Sequence, residues 1–167
     1  AAATLRRACG EAATAVAVEL MAGTAGAVAS TLPEAARLFD AVGDDRLRLC
    51  LDTCHLFAAG YALDELDGVA ACFEELRAVG LADRLILVHA NDARHPRGSR
   101  RDRHEHPGRG RIGREGFRAI LARPELAGLS VIVETEGDAR AHRRDVAFLR
   151  RLRPSTADRA SARRRPR

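Results

Sequence analysis

The sequence predicts an α/β protein built from consecutive βαβ units, and three observations carry that reading. Four short apolar runs, Thr14–Glu19, Leu47–Asp52, Leu85–Asn91 and Leu129–Glu134, are rich in Val, Leu and Ile, the composition of parallel strands buried on both faces. No two-residue hairpin turn joins one run to the next. Helix-like segments fill the gaps, so the strand ends recur at intervals of 33, 37 and 45 residues. Such intervals have room for a crossover helix.

The helices follow in order. Residues 1–13 read as the tail of a helix that should follow an earlier strand. Thr31-Leu-Pro-Glu34 has the form of a capping box with Pro in the first turn, leading into Ala35–Val42. Leu63–Val79 is closed by Gly80, suited to a left-handed helix cap. Glu115–Ala122 and Ala139–Leu152 complete the alternation. Four β/α units are half of an eight-unit (β/α)₈ TIM barrel, so a fragment is expected. Residues 1–153 would form this half-barrel, and 154–167 an Arg-rich, disordered tail.

Composition narrows the class. Over 167 residues, 46% are hydrophobic and 31% charged, a globular balance rather than a disordered or fibrous one. No apolar run approaches the roughly 18 residues a membrane helix needs, and no secretory signal is read. Aromatics are only 4%, so a core of Ala, Leu and Val is expected. Every Lys/Arg position is Arg, which reads mainly as a coding bias and says little about partners. Cys9, Cys50, Cys54 and Cys72 form no C-x-x-C pair and read as buried reduced thiols, placing the chain in the cytoplasm.

The net charge of +5 is uneven. Residues 150–167 hold eight Arg against Asp158 alone, so the rest of the chain sums to −2. A tail of that kind does not by itself argue for nucleic acid. Between Arg94 and Arg114, however, eight Arg face only Asp102 and Glu105, with several Gly and Pro: a basic loop. Within it Gly108-Arg-Gly110-Arg-Ile-Gly113 satisfies G-x-G-x-x-G. It follows no strand directly and lacks the acidic partner about 20 residues on that a dinucleotide site needs. Its glycines are read instead as letting an Arg-lined loop approach a phosphate backbone.

The chemistry lies in what ends each strand: Glu19, Asp52, His89 and Glu134. The C-terminal rim of a parallel sheet is where barrel enzymes hold their sites. One polar residue there commonly just meets solvent, but four of four point to a site. Three converging carboxylates repel one another, and a divalent cation removes the conflict. Oxygen and imidazole donors without thiolate suit Zn²⁺ or Mn²⁺. His55, three residues past Asp52, and the alternate pair Asp102 and His104 supply further ligands. Alone, His55 would be an ordinary helix-start histidine and Asp102 a partner for Arg101 or Arg103; beside four rim ligands, metal is preferred. His95, His106 and His142 are read as surface residues, Glu74 and Glu75 as an exposed helix face, and Glu136 as lying just past the rim.

These residues carry a resemblance. Asp52-Thr-Cys-His-Leu-Phe-Ala-Ala-Gly-Tyr61, His89-Ala-Asn-Asp92 and the segment from Gly98 to Gly113 resemble the signatures of endonuclease IV, the zinc-dependent apurinic/apyrimidinic endonuclease family. Glu19-Leu-Met-Ala-Gly23 and Val133-Glu-Thr135 are similar to its segments after the fifth and in the last strand. The resemblance implies strands five to eight of the barrel and a rim of three zinc ions. Glu19 would bridge two; Asp52, His89 and Glu134 would complete the second; His55, Asp102 and His104 would hold the third. The first also takes two His from strands outside this sequence. The implied activity is hydrolysis of the phosphodiester 5′ to an abasic site in double-stranded DNA during base-excision repair. It would leave a 3′-hydroxyl and a 5′-deoxyribose phosphate, with Glu19 and Glu134 as catalytic residues. Arg97, Arg100, Arg101, Arg103, Arg109 and Arg111 would contact DNA phosphates. An N-terminal half-barrel is expected in cis, or self-association in its place.

Two other readings remain open from sequence. A one-metal sugar isomerase or epimerase of the xylose-isomerase-like group would use Glu19, Asp52, His89 and Glu134 equally well. It has no need of His55, Asp102, His104 or a basic loop. An inactive DNA-binding remnant is the third reading.

Overall fold

A computed structural model describes residues 1–154. Helix α1 spans Ala2–Glu11, and strand β1, Val16–Glu19, follows it. Next come α2 (Leu32–Val42), β2 (Leu47–Asp52), α3 (Thr53–Ala59), α4 (Leu66–Ala78) and β3 (Leu85–His89). A two-stranded ribbon, β4 (Asp92–Ala93) with β5 (His104–Glu105), precedes α5 (Gly113–Leu121), β6 (Ser130–Ile132) and α6 (Ala139–Leu152). Strands β1, β2, β3 and β6 form one sheet in that order, every pairing parallel. This is the expected run of βαβ units, a four-stranded arc of a TIM-type barrel.

Local chemistry explains the boundaries. Thr31 caps α2 by accepting from the Glu34 N–H, while the Glu34 carboxylate accepts from the Ser30 and Thr31 N–H groups. Gly80, at φ 74°, ends α4: its N–H reaches the Arg77 carbonyl, and the Leu81 N–H reaches that of Leu76. That pair of bonds is the Schellman stop, and glycine suits its left-handed residue. Asp138 caps α6 by accepting from the Arg140 and Ala141 N–H groups.

The structure shortens three predicted strands and adds two features. The β6 ladder ends at Ile132, so Glu134 stands two residues beyond it on the same face. Helix α3 and the β4–β5 ribbon are too short for the sequence pattern to reveal. The expectation of a core without aromatics is also corrected. Phe39, Phe57, Phe73 and Phe117, four of the five Phe, lie buried with Leu20, Leu32, Leu47, Leu49 and Leu76. The few aromatics are in the core because each buries a large apolar area. The tail from residue 155 onward lies outside the described residues.

Candidate metal centre

Register places the strand-end groups side by side. Glu19 pairs in register with Cys50, one layer below the Asp52–His89 pair, and Ile132 lies opposite His89. The two outer strands carry the longer Glu and the two central ones Asp and His. That extra methylene lets Glu19 and Glu134 reach inward. The His89 Nδ1 lies 3.2 Å from Glu19 Oε1, 3.1 Å from Glu134 Oε2 and 3.9 Å from Asp52 Oδ2. Ligand atoms of Glu19, Asp52, His89 and Glu134 all fall within 4.8 Å of one another.

A second group adjoins the first. Asp52 Oδ1 caps α3 by accepting from the His55 N–H at 3.0 Å, which turns the His55 ring back over the rim. The β4–β5 ribbon brings Asp102 and His104 to meet it. Asp102 lies 3.2 Å from both His55 Nε2 and His104 Nε2. His55 Nδ1 faces the Leu20 carbonyl at 2.9 Å and Glu19 Oε1 at 3.1 Å, and His104 Nε2 lies 3.5 Å from Asp52 Oδ2. All seven sequence-predicted ligands thus converge in one connected cluster.

The donor set fits divalent cations. The Nε2 atoms of His55 and His104 are both buried, and although Asp102 lies 3.2 Å from each, neither makes a hydrogen bond of proper geometry. With Nδ1 of His55 committed to Leu20 and Glu19, its Nε2 is the available ligand nitrogen, as in sites where an outer partner fixes the imidazole. Electrostatics agree. Burial raises Asp52 above its ordinary range, against the pull of His55, His104 and Asn91. Glu19 is held below its range: burial pushes it up, but the His55 hydrogen bond and the His89 and His55 charges outweigh that. His55 rises to about 9, because Glu19, Asp52 and Asp102 overcome the desolvation that would lower it. A cation would take the place of that proton.

The structure also alters several roles read from sequence. Arg97 is engaged by Asp64 at 3.2 Å and Glu65 at 2.8 Å, so it is not free for phosphate. Arg100, Arg101, Arg103, Arg109 and Arg111 are exposed, and none pairs with a carboxylate among the described residues. His106 and His142 are not simple surface residues. His106 Nδ1 meets Asp145 at 2.8 Å, and His142 Nε2 meets the Thr135 carbonyl at 2.8 Å. Glu75 is half-buried and accepts from the Tyr61 hydroxyl. Glu136 reaches Arg94.

Two residues of the His89-Ala-Asn-Asp92 segment are not assigned by sequence reasoning. Asp92 is fully buried and accepts five backbone N–H groups, from Ala93, Gly108, Gly110, Ile112 and Gly113. The glycine-rich run therefore wraps a carboxylate of its own chain rather than presenting those amides to phosphate. Asn91 is equally buried and bonds Asp52 and Glu134. Adjacent polar residues directly after an apolar strand were the available signal.

Comparison with known proteins shows the family and the fold. The chain belongs to the xylose isomerase-like TIM barrel family, which it matches over residues 1–152. Within that family its relatives are endonuclease IV proteins, as the sequence motifs implied. It is 37% identical over 135 residues to the probable endonuclease 4 of Sulfurihydrogenibium sp., covering 81% of this chain and 48% of that protein. With the probable endonuclease 4 of Methanoculleus marisnigri it shares 43% over 124 residues, 74% of this chain and 44% of the other. The crystal structure of endonuclease IV from Thermus thermophilus superimposes with a TM-score of 0.70 at 36% identity, covering 81% of this chain and 48% of that one. The chain thus spans about half the length of the relatives it matches.

Proposed function

We propose that residues 1–153 form one half of a zinc-dependent endonuclease IV barrel. It would hydrolyse the phosphodiester 5′ to abasic sites in double-stranded DNA, as a cytoplasmic repair enzyme. The observation that carries this is the second ligand group, His55, Asp102 and His104, joined to the four-residue set through Glu19 and Asp52. A one-ion sugar isomerase has no use for it.

In this reading Glu19, Asp52, His89 and Glu134 would hold one ion and His55, Asp102 and His104 another, while Glu19 would also serve a third ion whose two His lie outside this sequence. Zn²⁺ suits the oxygen and imidazole donors, and Mn²⁺ is the alternative. Ions held by these residues would supply Lewis-acid charge for a phosphoryl centre and lower the pKa of water. Glu134, 42% exposed at the rim, would accept a proton from an attacking water. The exposed Arg100, Arg101, Arg103, Arg109 and Arg111 hold the DNA backbone through phosphate contacts without reading bases. Four further β/α units, supplied by the same longer chain or by a second copy, complete the barrel.

Elemental analysis of chain purified without chelator tests the site. At least two Zn²⁺ per chain are expected, falling by one in the Asp102→Ala/His104→Ala variant. Incision of a duplex carrying one abasic site, by a full-length protein containing these residues, should fall by roughly 10²-fold or more in that variant, the scale of a lost charge-stabilising group. A single ion in the unsubstituted chain would favour the isomerase.

A further inference from the structure

We propose that Asn91 is a positioning residue that sets the two carboxylates flanking His89, and so fixes the four-residue metal group. The inference rests on the metal reading above. The side chain of Asn91 is wholly buried, and its three hydrogen bonds all go to that group. Its Nδ2 donates to Asp52 Oδ2 at 2.7 Å and to Glu134 Oε2 at 3.3 Å. Its Oδ1 accepts from the Glu134 backbone N–H at 2.8 Å.

The backbone explains why this side chain is needed. The last ladder bond between β3 and β6 runs from the Ala90 N–H to the Ile132 carbonyl. Glu134 stands beyond it, without a partner strand to fix its direction. The Asn91 amide continues the pairing by one step with a side chain, anchoring both the Glu134 main chain and its carboxylate. Asn91 is itself held, since the Thr53 hydroxyl donates to its backbone carbonyl at 2.6 Å. Asp52 Oδ1 is occupied by the His55 N–H, so the Asn91 amide settles the orientation of Oδ2, the oxygen nearest His89 and His104. Only a group with two donors and an acceptor serves all three contacts, which an aspartate in its place cannot do. Outer partners of this kind typically govern metal affinity 10–100-fold.

The test is a Zn²⁺ titration of the purified chain against a competing chelator, resolving two classes of site. In Asn91→Ala, Zn²⁺ binding at the Glu19/Asp52/His89/Glu134 group should weaken roughly 10–100-fold. Binding at His55/Asp102/His104 should stay within about threefold, and this second group reports that the chain is folded. Asn91→Leu, of similar volume, separates lost packing from lost hydrogen bonds and should weaken the same group equally. Unchanged affinity in both variants, or equal weakening of both groups, overturns the positioning role. If the unsubstituted chain binds no Zn²⁺ at either group, the metal reading falls and this inference with it.

Discussion

Cys50 shows how much a residue's behaviour depends on what surrounds it. It lies on the sheet beneath the carboxylate rim, and burial together with the Glu19 and Asp52 charges pushes its thiol up to about 12. Burial does the same to Cys54 and Cys72, each reaching about 12. Thiolate is the reactive form, so at pH 8 only about one part in 10⁴ of each is nucleophilic. Iodoacetamide should therefore leave these three cysteines unlabelled in the folded chain at pH 8 and label them in denaturant. Mass spectrometry of the alkylated protein reads this directly, and rapid labelling of the native chain would contradict the burial. Raising the pH toward 12 should increase labelling, provided the fold survives.

At the scale of elements, the loop from Gly108 to Gly113 is organised by one buried side chain. Asp92 collects five N–H groups, of which those of Ala93 and Ile112 are buried and would otherwise be stranded away from water. Replacing Asp92 with Ala removes charge-assisted bonds and leaves buried donors unpaired, at a cost of about 3 kcal/mol. Gly110 is the steric counterpart. A Cβ there would stand 2.5 Å from both the Ala93 carbonyl oxygen and Asp92 Oδ1, so Gly110→Ala must displace the loop. Both variants should lower the melting temperature and speed amide exchange at Gly108, Ile112 and Gly113, while α2 keeps its protection. Unaltered exchange in the loop would remove Asp92 as its organiser. The three glycines are visible in the sequence as a motif. Their purpose is not, because nothing in the chain order says that the carboxylate they wrap lies 16 to 21 residues upstream.

For the whole molecule, the charge distribution decides how a polyanion would meet it. The acidic cluster sits at the rim, and in the adjoining 94–114 segment Arg100, Arg101, Arg103, Arg109 and Arg111 are exposed and pair with no carboxylate among the described residues. On the proposed function, binding to DNA should be salt-dependent, with affinity falling as ionic strength rises. The triple variant Arg101→Ala/Arg109→Ala/Arg111→Ala should flatten the slope of log K against log salt by about one for every phosphate that is no longer neutralised. Arg97→Ala should change it far less, since Asp64 and Glu65 already neutralise that side chain. Fluorescence anisotropy with a labelled duplex across a salt series measures both. Equal slopes for all variants would remove the loop from the DNA interface.

The amino-acid sequence alone determined the succession of strands and helices, the parallel topology, and the seven side chains at the strand ends and just past them. Those depend on local periodicity, on caps such as Thr31 and Gly80, and on which residue terminates an apolar run, all of which neighbours in sequence decide. The tertiary structure alone decided which of those groups touch. Strand register set Glu19 one layer below Asp52 and His89, the β4–β5 ribbon carried Asp102 and His104 back to His55, and Arg97 was drawn to Asp64. It also decided that Asn91 and Asp92, to which the sequence assigned no role, are buried polar organisers. Hydrogen bonds and ion pairs fall off within a few ångströms. Their partners are fixed by distances across the folded chain, to which local sequence patterns are blind.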